Sequence, residues 1–121
     1  MLTGLGSLES EVMEALWASP SPMSVRQVLG SLPREGIAYT TISTVLENLR
    51  RKEWVRRERL GRLWFYQPVR DRSTHAAERM QDALADGRDA GATLLRFVDG
   101  MSPEEMRTLR ALLAEHPEEE P

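Results

Sequence analysis

Short hydroxyl and amide side chains cluster between Tyr39 and Asn48: Thr40, Thr41, Ser43, Thr44 and Asn48 recur at helical spacing, with Glu47 among them. Groups of this kind hydrogen-bond to base edges and phosphates in a nucleic-acid groove, and a threonine methyl can meet a thymine methyl. A helix face turned only to water more often carries Glu, Lys and Gln, because Ser and Thr cost helix propensity. Residues 50–62 (RRKEWVRRERLGR) follow at once and hold seven basic and two acidic residues, a local positive excess that attracts a polyanion. Arg50, Arg51, Lys52, Arg57, Arg59 and Arg62 are the expected phosphate contacts, which position a protein on a duplex without choosing its sequence. Tyr39, just ahead of the helix, can reach the same backbone.

No other constellation carries chemistry. His75 and His116 stand alone without a spaced second ligand and read as surface histidines, so no metal site is expected. The absence of cysteine excludes disulfides, thiolate metal sites and thiol redox sensing, and it is compatible with a reducing cytosol. There is neither a phosphate-cradling Gly-rich loop nor a nucleophile elbow. Accordingly, no catalytic residue and no cofactor are expected, and the chain does not read as an enzyme. Residues 1–7 have neither a basic opening nor an apolar run, and no stretch approaches the roughly 20 apolar residues of a membrane span. A cytoplasmic location is expected.

The elements that must hold these side chains follow from periodicity. Leu8, Val12, Met13, Leu16 and Trp17 keep 3,4 spacing, which predicts a first helix with Ser7 as N-cap, closed by Pro20 and Pro22. Ser24 with Gln27 three residues on is a capping-box pattern, opening a second helix striped by Val25, Val28, Leu29 and Leu32 and stopped by Pro33. A turn containing Gly36 leads to a third helix, whose Ile42, Val45, Leu46 and Leu49 point inward and leave the Thr/Ser/Asn face outward. From Trp54 to Val69 the period changes to that of strands. Gly61-Arg62 divides them as a two-residue II′ loop, pairing Leu60 with Leu63. Tryptophans 17, 54 and 64 and most of the six methionines are expected in the core.

Beyond Pro68 helical periodicity returns, with Ala76, Ala77, Met80, Ala83 and Leu84 on one face and Gly87 as C-cap. Leu94, Leu95, Phe97 and Val98 predict a fifth helix ending at Gly100. Ser102-Pro103-Glu104-Glu105 opens a sixth, striped by Met106, Leu109, Leu112 and Leu113. The acidic tail Glu118-Glu119-Glu120-Pro121 is expected to be disordered. The fold class is mainly α with a small β-hairpin: a winged helix-turn-helix domain over residues 1–69 and a helical dimerisation region over residues 70–121. Charge divides the same way, with nine basic against seven acidic residues in the first part and seven against twelve in the second. Three helices in residues 70–121 bury too little apolar area to be stable alone, and a second copy of the chain would cover them. Met80, Leu84, Leu94, Leu95, Phe97, Val98, Met106, Leu109, Leu112 and Leu113 are the expected dimerisation contacts. A tail folded back on the winged helix as one larger core is the alternative.

The order and wording of these segments resemble the penicillinase-repressor (BlaI/MecI) family of winged-helix transcriptional repressors over almost the whole chain. The resemblance rests on LESEVMEALW, AYTTISTVLENLRRKEWV, GRLWFYQPV and LLRFVDGMSPEEMRTLRALL, taken together. It implies a homodimer joined through its carboxy-terminal helices, which binds a palindromic double-stranded DNA operator of the TACA/TGTA type and represses β-lactamase or related genes. Contacts carried over by position fall on Thr40, Thr41, Ser43, Thr44 and Asn48; family members often have lysine or arginine at the first, third and last of these. Affinity here would lean more on residues 50–62. The resemblance further implies release by proteolysis within the dimerisation region, dependent on a membrane-bound sensor metalloprotease. Where the family is cut at an Asn-Phe bond this chain has Arg96-Phe97, which calls for a protease of different preference. Copper-responsive relatives use a cysteine cluster that this chain lacks, so metal induction is not implied. A winged-helix module docking a protein partner, without sequence-specific DNA binding, is the rival function, and a small ligand acting as inducer is a third.

Overall fold

The computed structural model describes residue 2 and residues 4–116. In order, the elements are α1 (Ser7–Ala18), β1 (Met23–Ser24), α2 (Val25–Ser31), α3 (Tyr39–Arg51), β2 (Val55–Leu60), β3 (Leu63–Pro68), α4 (Arg72–Asp86), α5 (Ala90–Asp99) and α6 (Pro103–Glu115). This is the winged helix-turn-helix order followed by three further helices. The expectation of a disordered acidic tail at residues 118–121 lies outside the described residues.

Local chemistry sets the helix ends. At α2 the capping box forms as expected: the Ser24 hydroxyl accepts from the Gln27 N–H at 3.2 Å, and the Gln27 side chain accepts from the Ser24 N–H at 2.9 Å. At α1 the N-cap is Gly6 rather than Ser7. Glu9 accepts from the Gly6 N–H at 3.1 Å, while the Ser7 hydroxyl instead accepts from Arg34. The end of α3 is a Schellman motif, with Glu53 N–H bonded to Arg50 O at 3.1 Å and Trp54 N–H to Leu49 O at 2.9 Å. Glu53 takes the left-handed conformation that this motif requires (φ 65), a position usually given to glycine.

The sheet has three antiparallel strands in the order β1-β3-β2, so the expected hairpin gains a strand. Met23 pairs with Tyr66 and Ser24 with Phe65. Two residues are too few to show an alternating pattern, which is why β1 escaped periodicity. The hairpin register matches the expectation: Leu60 pairs with Leu63 across Gly61-Arg62. Gly61 has φ 64 and Arg62 stays at negative φ, as a II′ loop requires.

The chain separates into two compact units, residues 1–76 and 77–121. The division falls inside α4, seven residues later than the expected boundary at 69/70. The cause is aromatic: Trp54 stacks on His75 at 3.7 Å, and Trp17 lies 6.3 Å from Trp54 and donates from its indole N–H to Arg70 O at 2.9 Å. The first turn of α4 is thereby built into unit 1. His75 is therefore not the surface histidine read from the sequence, whereas His116 is exposed. All thirteen buried apolar side chains among the described residues lie in unit 1, with Val12, Val28, Ile42, Leu46 and Leu49 wholly buried.

Unit 2 contains the remainder of α4, with α5 and α6, and none of its described residues is buried. The α4–α5 turn passes through Arg88 at φ 60, so Gly87 is not the left-handed residue expected of a C-cap glycine. Its contribution is space, since a Cβ there would overlap the Thr93 hydroxyl. Leu84, Val98, Met106 and Leu109 are half-buried; Met80, Leu94, Leu95, Phe97, Leu112 and Leu113 are exposed. Met80, expected as a dimerisation contact, leaves more than half its surface open. Among the described residues no helix is long and apolar enough to cross a membrane.

Candidate nucleic-acid interface

Helix α3 buries Ile42, Val45, Leu46 and Leu49 and turns Tyr39, Thr40, Thr41, Thr44 and Asn48 to the exterior; Ser43 and Glu47 are half-buried at its flank. One stripe packs, so the other is presented, as 3.6-residue periodicity dictates. Tyr39 is the first residue of the helix rather than lying ahead of it.

The hairpin obeys period 2. Val55 and Tyr66 seal its base against the core, and the same face carries Arg57, Arg59 and Trp64 further out. Arg59 pairs across the strands with Trp64, and Arg57 is its diagonal neighbour. Both guanidinium groups lie over the Trp64 ring, Arg57 at 4.0 Å and Arg59 at 5.7 Å from its centroid. Trp64 is thus an exposed platform for cations, not the core residue that its aromatic neighbours suggested.

α3 and the hairpin share a surface. A cleft of about 360 Å³ is lined by Tyr39 and Ser43 of α3, Arg57, Arg62, Trp64 and Tyr66 of the hairpin, and Ser24 and Arg26 at the start of α2. Arg26 was not singled out in the sequence. Its guanidinium stands 5.6 Å from the Tyr39 ring centroid, bringing a further cation to this side of α3. Only its position on the polar side of a short helix could have signalled it, and that is shared by most surface arginines.

The expected phosphate contacts fall into two groups. Arg59 and Arg62 are exposed and carry no ion pair among the described residues, although the Arg59 Nε–H reaches Gly61 O at 3.3 Å. The others already have acidic partners. Arg50 grips Glu47 with two hydrogen bonds of 2.9 and 2.6 Å, Arg51 lies 3.5 Å from the same carboxylate, and Arg57 lies 3.7 Å from it. The Arg50 hydrogen bond, working against desolvation and reinforced by the charges of Arg50, Arg57 and Arg51, holds the Glu47 carboxyl below its ordinary value of 4.5. Lys52 is turned to α1, where its ammonium sits 3.1 Å from both oxygens of Glu9. Seen from Glu47, one carboxylate joins the end of α3 to the hairpin, a role that spacing along the chain does not signal.

Among the described residues no group of three or more His, Asp or Glu is arranged to hold a metal. The exposed hydroxyls and amide of α3 can exchange hydrogen bonds with base edges, and the arginines around the cleft can pair with phosphate.

Comparison with known proteins agrees with this chemistry. Residues 5–115 match the penicillinase repressor family. The transcriptional regulator BlaI of Mycobacterium tuberculosis, in both strain CDC 1551 and strain H37Rv, is 43% identical over 118 residues, covering 94% of this chain and 86% of the relative. Among solved structures, a probable transcriptional regulator from Pseudomonas aeruginosa superposes with a TM-score of 0.51 at 22% identity, covering 95% of this chain and 80% of that one. Streptococcus pneumoniae FabT, solved in complex with DNA, gives 0.50 at 21% identity, with 93% and 73% covered. These structural likenesses support the winged-helix fold, and the sequence match carries the function: the chain belongs to the penicillinase repressor family of DNA-binding transcriptional repressors.

Proposed function

We propose that this protein is a cytoplasmic homodimeric repressor that lays α3 in the major groove of double-stranded operator DNA and rests its hairpin on the adjoining phosphates. The observation that carries this reading is the shared surface of α3 and the hairpin, where an exposed Thr/Asn face adjoins a cleft lined by Arg26, Arg57 and Arg62. Thr40, Thr41, Ser43, Thr44 and Asn48 read bases or their flanking phosphates. Arg59 and Arg62, with Arg26 and Tyr39, fix the register on the backbone. Arg50, Arg51 and Arg57 join them once displaced from Glu47. Lys52, bound to Glu9, takes no direct part.

The exposed stripe of Leu94, Leu95, Phe97, Leu112 and Leu113, with Met80 on α4, is the dimerisation face, and a second copy supplies its cover. Half-buried Leu84, Val98, Met106 and Leu109 extend it. Two-fold symmetry in the protein then calls for a palindromic operator with half-sites about one helical turn apart. Genes for β-lactamase or related functions are the targets that the family assignment favours. Release follows proteolysis at Arg96-Phe97, dependent on a membrane-bound sensor metalloprotease. Both residues are exposed but lie within α5, so the helix must open locally before the bond can enter a protease site.

Fluorescence anisotropy on duplexes selected from a random library tests this. Arg59→Ala and Arg62→Ala should weaken binding to all duplexes alike and flatten its salt dependence by about one unit of slope per lost phosphate contact. Thr44→Ala and Asn48→Ala should instead change which sequences are selected. Selection that enriches no sequence while a protein partner is recovered would favour a docking module over a repressor.

A further inference from the structure

Three of the six cations expected to meet phosphate converge on Glu47. Arg50 and Arg51 reach it from one and the same turn of α3, and Arg57 reaches it from β2. All three contacts are shorter than 4 Å, well inside the Debye length of about 8 Å at physiological salt, so Glu47 cancels part of the field these arginines would present to a polyanion. Arg59 and Arg62, at the outer end of the hairpin, have no such partner among the described residues. The basic segment therefore contains ungated cations at the wing tip and gated ones beside the base-reading helix.

We propose that Glu47 is a specificity-positioning residue: it withholds Arg50, Arg51 and Arg57 from indiscriminate phosphate binding and yields them to a duplex seated in register against α3. This rests on the DNA-binding reading above and deepens it. The mechanism is competition. A phosphate approaching any of the three must compete with a carboxylate already hydrogen-bonded or ion-paired there, and must approach that carboxylate's like charge. A correctly seated duplex can meet these costs with base contacts from Thr40, Thr44 and Asn48, whereas a random duplex has only its phosphates. Arg57 is further constrained by its place over Trp64, so it also ties the hairpin to α3. A carboxylate serving only to stabilise the helix through i,i+3 and i,i+4 pairs would affect melting and leave the salt dependence of DNA binding untouched.

The test uses the full chain, with Glu47→Gln and Glu47→Asp variants and two duplexes: one of random sequence and one enriched from a random library by the parent protein. Anisotropy titrations span about 50 to 200 mM salt. Glu47→Gln should bind the random duplex about five- to tenfold more tightly, steepen its salt slope by about one to two units and lower the ratio of enriched to random affinity. Glu47→Asp, which keeps the charge, should behave like the parent. Unchanged random-duplex affinity and slope in Glu47→Gln would overturn the proposal while leaving DNA binding intact, and so would an aspartate variant that behaves like glutamine. If the parent binds neither duplex, the DNA-binding reading falls and this inference with it. A second pair of variants covers the case in which Glu47→Gln fails to fold. Arg51→Gln, in a gated and largely exposed position, should cost less than twofold in random-duplex affinity, while Arg59→Gln should cost about fivefold. Equal losses would overturn the gate.

Discussion

Units 1 and 2 are built from helices of similar amphipathic pattern, yet their apolar stripes meet opposite fates. In unit 1 the stripes of α1, α2 and α3 converge with Val55 and Tyr66 on a common core. In unit 2, Leu95 and Leu113 keep 62% of their surface exposed, and Phe97 keeps 50%. A helical hydrophobic repeat reports a face that gains by leaving water, but it does not say whether its own chain supplies the cover. Unit 1 supplies its cover by adding a sheet beneath three helices. Unit 2 offers three helices with no fourth layer, the geometry expected of half a core.

The contrast can be broken most sharply by truncating one leucine on each side. Leu46 is wholly buried, so Leu46→Ala should cost about 2–5 kcal/mol in chemical denaturation, independently of protein concentration. On the proposed dimer, in which a second molecule covers Leu95, Leu95→Ala should cost little at high dilution and more as concentration rises. Phe97→Glu carries the same logic further. A charge set on the exposed α5 face should weaken self-association at least about a hundredfold in sedimentation equilibrium while leaving the α3 surface intact. A Phe97→Glu variant as dimeric as the parent would show that α5 is not the contact.

The same asymmetry explains what was legible in the sequence. Ile42, Val45, Leu46 and Leu49 are all buried as their spacing implied, because a helix stripe is a local property. The Gly61-Arg62 loop was equally local, one glycine fixing the turn type and through it the register. What escaped depends on partners far along the chain. Trp64 shares its composition with core aromatics, and only its place nearer the hairpin tip than Tyr66 leaves it outside as a seat for Arg57 and Arg59. His75 looked isolated because Trp54 is distant in sequence. Lys52 reads as part of a basic run until α1 places Glu9 beside it. Charge counts along a chain do not see such neutralisation.

Matched caps sharpen the comparison further. Ser24 at α2 and Ser102 at α6 head the same reciprocal capping box, with Ser102 accepting from the Glu105 N–H at 3.1 Å. Replacing either by alanine removes a cap worth about 1 kcal/mol. Ser24 is buried at the end of strand β1, where it also pairs with Phe65, so its loss should lower the stability of unit 1 as a whole. Loss of Ser102 should chiefly speed amide exchange in the first turn of α6, where little packing opposes fraying.

The smallest expected effect is electrostatic and belongs to unit 1. The Arg50 hydrogen bond depresses the Glu47 carboxyl, and hydrogen bonds from Thr74, side chain and backbone, depress Asp71 at the head of α4, with Ser73 assisting. Each folded value lies below the unfolded one, ordinarily 4.5 for Glu47 and 3.8 for Asp71, so protons bind the unfolded chain more tightly. Their contribution is fully present above those ordinary values and is lost as the pH falls through the depressed ones. Thermal melts of unit 1 should therefore be insensitive to these two groups between about pH 6 and 7 and decline in acid. Glu47→Gln and Asp71→Asn should each shallow that acid decline without altering its neutral plateau beyond the loss already seen at pH 7. With Asp71 exposed and Glu47 half-buried, raising the salt concentration should shrink the part of the Glu47 effect that comes from the charges of Arg50, Arg57 and Arg51. It should leave more of the Asp71 effect, which comes from neutral hydrogen-bond donors. A Glu47 dependence that vanished altogether in high salt would mean that the surrounding charges, and not its hydrogen bonds to Arg50, set its titration.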